Sequence, residues 1–114
     1  MKIVNKCIVL NEDESRIAAE CLAFTEHEFI KTLSSRHIGD FVANDAGKKK
    51  ALDMCRRLKE INVIVGNIAD EGAWPKGSVF TPPFSKEMRD SVSKMDDETL
   101  LSLFVNALKN EKAP

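Results

Sequence analysis

A chain of 114 residues with 17 Lys and Arg against 18 Asp and Glu carries a formal net charge of −1. At that size about two-thirds of the unfolded surface, roughly 12,000 of 18,000 Å², is buried on folding, enough for one domain without disulfides or metal. Its balance of 43% apolar and 31% charged residues excludes a disordered chain, a collagen-like chain and a disulfide scaffold. Near-neutrality argues against an acidic DNA mimic and a strongly basic nucleic-acid binder alike.

Lys2–Leu10 is rich in β-branched and apolar residues (Ile3, Val4, Ile8, Val9), interrupted by Asn5 and Lys6. It reads as one strand. No apolar stretch of signal-peptide length and no small-residue cleavage site follows Lys2 and Lys6, so a cytoplasmic location is expected, and no span is long enough for a membrane. Asn11 caps a first helix, with Glu14 placed for a capping box and Glu12, Asp13 and Glu14 complementing the helix dipole. Ile17, Ala18, Cys21, Leu22, Phe24, Phe29, Ile30 and Leu33 recur at steps of three and four, one wide apolar stripe ending near Ser34. Asn44 or Asp45 caps a second helix reaching about Lys59, with Ala51, Met54, Cys55, Leu58 and Ile61 inward and Gly47 weakening its first turn.

Val63, Ile64 and Val65, closed by Gly66-Asn67, read as a second strand pairing in parallel with the first. Ile68–Pro83 is dense in Gly and Pro and carries the single Trp. Ser85 caps a third helix and Asp96 a fourth, with Met95 and Leu100 spaced as a hydrophobic staple. The expectation is therefore a helix-dominated α+β fold in the order β-α-α-β-loop-α-α with a small two-stranded sheet. An essentially all-α fold is the alternative. Residues 1–110 form a single globular domain, followed by a frayed tail over 111–114.

Catalytic and metal motifs are missing. His27 and His37 have no partner at metal-ligand spacing, and CxxC, HxxxH, HExxH, GxSxG, GxGxxG and the P-loop do not occur. No metal and no cofactor is expected. Cys7, Cys21 and Cys55, odd in number and flanked by apolar residues, read as buried free thiols.

Three surfaces remain. The loop carrying Trp74, Phe80 and Phe84, stiffened by Pro75, Pro82 and Pro83, suits a partner-binding anchor or a core patch. Lys48–Lys59 holds six basic residues and one Asp, and its Lys49, Lys50, Arg56 and Arg57 would form a basic face. The last helix is apolar on more than one side, and Leu101, Phe104, Val105 and Leu108 would line a homodimer interface. These features favour a small cytosolic protein-binding module, a regulator or inhibitor acting by surface contact. A nucleic-acid-associated protein using the basic face is a second reading, and a small enzyme with an intersubunit site a third.

Overall fold

The computed structural model describes the backbone of residues 1–112 and the side chains of residues 1–107. Two short strands, β1 (Lys2–Val4) and β2 (Cys7–Val9), precede five helices: α1 (Glu12–Leu33), α2 (Ile38–Phe41), α3 (Asp45–Ala69), α4 (Lys86–Lys94) and α5 (Asp97–Lys112). The fold is thus α+β and helix-dominated, with a two-stranded sheet, but the sheet is not the one expected. β1 and β2 form an antiparallel hairpin, pairing Lys2 with Val9, Ile3 with Ile8 and Val4 with Cys7. Asn5 and Lys6 both have positive φ, 49° and 66°. That is the backbone of a two-residue hairpin turn whose twist matches the strands it joins. The polar pair inside the apolar run was the turn itself.

Residues 63–65 are helical, not a strand. Three β-branched residues lower helix propensity by only tenths of a kcal/mol each. Against this, continuation of α3 buries Leu58, Asn62, Val65 and Gly66 along one face. Burial of that stripe outweighs the local preference, and α3 extends ten residues beyond Lys59 to Ala69.

Other boundaries follow their caps. Asn11 accepts from the Glu14 N–H at 2.8 Å while Glu14 accepts from the Asn11 N–H at 3.0 Å. Glu14 also holds the N-terminal ammonium at 2.6 Å. These hydrogen bonds, the ammonium's first, keep its carboxyl below the usual range. Asn44, Ser85 and Asp96 cap α3, α4 and α5 through the N–H groups of Gly47, Met88 and Thr99. Gly47 has a second role: a Cβ there would overlap the carbonyl oxygen of Phe41, so its missing side chain lets α2 lie against α3.

α3 is the central element, packed against α1, α4 and α5. Leu33, Ile38, Ala51, Cys55, Leu58, Val92, Leu100 and Leu101 form the core, with Phe29, Phe84, Met95 and Phe104 packed on it. Lys59 fastens α3 to the α4–α5 junction, bonding Asp97 at 2.7 Å and the carbonyl of Met95 at 3.0 Å. The molecule measures 50 × 29 × 23 Å with a radius of gyration of 16.1 Å. A compact chain of this length would have about 13 Å. No described helix is long and apolar enough to cross a membrane.

Candidate functional site

α1 carries two apolar stripes rather than one broad one. Ala19, Ala23 and Leu33 are buried in the body. Ile17, Cys21 and Phe24 lie on the other side of the helix and are exposed. Together with Glu20, Thr25 and Phe80 they line an open groove of about 440 Å³.

Phe80 reaches this groove because the loop is tied down on either side of it. The Val79 N–H donates to Glu20 Oε1 at 2.6 Å. The Thr81 carbonyl bonds His27 Nε2 at 2.9 Å. A carbonyl only accepts, so Nε2 is the donor in this bond. Glu20, Phe24 and His27 recur at steps of four and three, which aligns the two tethers with the ring between them. Phe24 and Phe80 then meet edge to face, with ring centroids 5.0 Å apart and an interplanar angle of 68°. That arrangement sets the positive edge of one ring against the negative face of the other.

The anchors expected in the loop separate. Phe80 stands in the groove, 38% exposed. Phe84 packs on the core, and its carbonyl accepts from Arg89 at 2.6 Å. Trp74 is half-buried, with its Nε1 enclosed and not hydrogen-bonded among the described residues. Phe24, on a different element, supplies the second exposed ring. Sequence spacing alone did not reveal it, because a helical Phe among other apolar residues reads as core.

The basic residues Lys49, Lys50, Arg56 and Arg57 are all exposed on α3. Arg56 pairs with Asp53 at 3.4 Å and Lys48 with Glu98 at 3.6 Å, so part of this charge is matched within the chain. Of the residues expected to line a dimer face on α5, Leu101 is buried and Phe104 and Val105 are partly buried. Leu101 belongs to the core, and Phe104 and Val105 pack against it. The Leu108 side chain lies outside the described residues. Helix α5 is described through Lys112, and residues 113–114 of the expected tail lie outside the description.

The cysteine expectation is corrected in two of three cases. Cys7 and Cys21 are exposed, on the hairpin and in the groove, and Cys55 is buried. Burial pushes the Cys55 thiol up to about 11, with Asp97 adding to the rise and Lys59 opposing it. A thiol held protonated is a poor nucleophile.

A polar seam crosses the body between α1, α3 and α4. Arg89 pairs with Asp70, and Asn62 donates to the Arg89 carbonyl and to Ser93 Oγ, each at 2.9 Å. Glu26 is fully enclosed, and neither of its oxygens is hydrogen-bonded among the described residues. Burial raises its pKa to about 7, and the charge of Arg89 limits the rise. The sequence signal for it is its spacing, since Ala19, Ala23, Glu26, Ile30 and Leu33 recur at steps of four and three along α1. Among the described residues no three His, Cys, Asp or Glu side chains gather to hold a metal.

No protein-family model matches the chain, nor does any curated protein or solved structure.

Proposed function

We propose that this chain is a protein-binding module that acts by surface contact, using the groove formed by Ile17, Cys21, Phe24 and Phe80. The observation that carries this reading is the double tether at Glu20 and His27. It fixes an exposed aromatic ring on a loop already stiffened by proline, so little ordering entropy is lost when a partner arrives. A rigid aromatic pair over an apolar floor is the usual form of an interface anchor. The groove accepts an apolar side chain from the partner, and the Thr25 hydroxyl is already engaged, donating to the Cys21 carbonyl at 2.8 Å.

The nucleic-acid reading draws on the exposed Lys49, Lys50 and Arg57, but no aromatic residue is interleaved among residues 48–59 of the sequence for base stacking. It remains the alternative, and steep weakening of binding with salt would mark it.

The test compares proteins captured by the wild type and by Phe80→Asp from the same lysate. Hydrogen exchange then locates the contact on the captured complex. The groove reading expects a partner retained by the wild type, lost by the variant, and protecting residues 17–25 and 79–81. A partner retained equally by both, or protection confined to the Lys49–Arg57 face, contradicts it. The variant's helical circular dichroism should match the wild type, since Phe80 lies outside the core.

A further inference from the structure

The N-terminal hairpin inverts the usual placement of apolar side chains. Ile3 and Ile8 are 72% and 64% exposed, and Met1, Val4 and Val9 are also at least half exposed. Ile3 and Ile8 are cross-strand partners and share one face. Val4, Cys7 and Val9 share the other with Lys2, so both faces lack cover. A two-stranded sheet with no covered face has little stability of its own, whereas three or more strands supply it.

The edges are as open as the faces. A two-residue turn makes Val4 and Cys7 the hydrogen-bonded pair that closes it. By alternation, the N–H and C=O of Ile3 and Ile8 point away from the hairpin. The edge of β1 carries Lys2, the kind of charge that discourages edge pairing. The edge of β2, Cys7-Ile8-Val9, carries none.

We propose that two copies of this chain pair β2 to β2 about a two-fold axis at Ile8, making a four-stranded antiparallel sheet in the order β1-β2-β2-β1. The contact is self-complementary: Ile8 exchanges both outward hydrogen bonds with its counterpart, and Cys7 faces Val9 of the second copy. One face then carries an unbroken row of four isoleucines, Ile3 and Ile8 from each copy, the kind of cross-strand β-branched contact that stabilises sheets. With one net negative charge on each chain, repulsion between copies is small.

This pairing uses a different surface from the groove and does not depend on it.

Sedimentation equilibrium of the full chain tests the pairing, together with disulfide trapping. The wild type should be dimeric at high micromolar concentration. Ile8→Lys should raise the dissociation constant by about tenfold or more and leave helical circular dichroism unchanged. In a Cys7→Ser, Cys21→Ser background, Ile8→Cys should cross-link under mild oxidation, since directly paired Cα atoms lie about 5.5 Å apart, within disulfide reach. Ile3→Cys, one strand further from the axis, should not. A monomeric wild type at high micromolar concentration overturns the pairing. So does an undiminished dimer in Ile8→Lys, or equal cross-linking at positions 3 and 8. Loss of the dimer in Phe80→Asp with retention in Ile8→Lys would place self-association in the groove, also against this proposal.

Discussion

In the helical body, charged and polar side chains are buried: Glu26, Asn62 and Arg89 lie between α1, α3 and α4. In the hairpin and along the outer stripe of α1 the reverse holds, and Ile3, Ile8, Ile17 and Phe24 face water. Exposure of one large apolar side chain is ordinary, but a contiguous set of them is the mark of a contact surface. The body therefore supplies stability and tolerates an internal polar seam. The hairpin and groove contribute little to stability and are the surfaces that the two proposals assign to partners. Substitutions should divide along the same line.

The largest contrast pairs Leu58 with Ile8. Leu58 is fully buried at the centre of the core, so Leu58→Ala should cost about 3 kcal/mol. Ile8→Lys, measured in dilute solution, should change unfolding by no more than about 0.5 kcal/mol. Urea denaturation at low protein concentration checks both, and comparable losses would erase the distinction between the regions.

Next is the seam. With its pKa at about 7 against 4.5, folded Glu26 retains a proton that the unfolded chain releases between those values. Its contribution therefore turns against folding as pH rises through that window. Glu26→Gln should leave stability unchanged at pH 4 and raise it by about 3 kcal/mol at pH 8. A variant less stable than the wild type at pH 8 would mean that the carboxylate is paired and stabilising.

Gly47 sharpens the picture of the body. Helix propensity alone makes Gly47→Ala stabilising by up to about 1 kcal/mol. Overlap with the Phe41 carbonyl reverses the sign, with an expected loss of about 2 kcal/mol in thermal or urea melts.

The smallest effect is chemical and leaves stability alone. A thiol reagent should label Cys7 and Cys21 in the native chain and reach Cys55 only after denaturation. Labelling of all three at one rate would contradict the burial of Cys55.

Much of the helical body was legible because its signals are local. Asn11 with Glu14, Asn44, Ser85 and Asp96 all cap where their side chains allow. Val63-Ile64-Val65 misled because strand preference is local, whereas the packing that keeps α3 helical depends on α4, distant in sequence. The hairpin turn was hidden by Lys6, which occupies a left-handed position where Gly would have been the clear sign. The groove was only half visible. Phe80 stood out in its loop, but Phe24 shares the helical spacing of core residues, and only the tethers at Glu20 and His27 set the two rings together. Glu26 shares the helical spacing of Ala19, Ala23, Ile30 and Leu33, but a lone carboxylate on that stripe was not read as core because a charged side chain is rarely buried.

Amide hydrogen exchange followed residue by residue at two protein concentrations measures the division most directly. In dilute solution the amides of Leu58 and Val65 should exchange slowly and those of the hairpin fast. At high concentration the Ile8 amide should slow markedly, the Ile3 amide should stay fast, and the α3 amides should not change. Hairpin amides as protected as those of α3 in dilute solution would show that the hairpin belongs to the stable body, and would contradict the account.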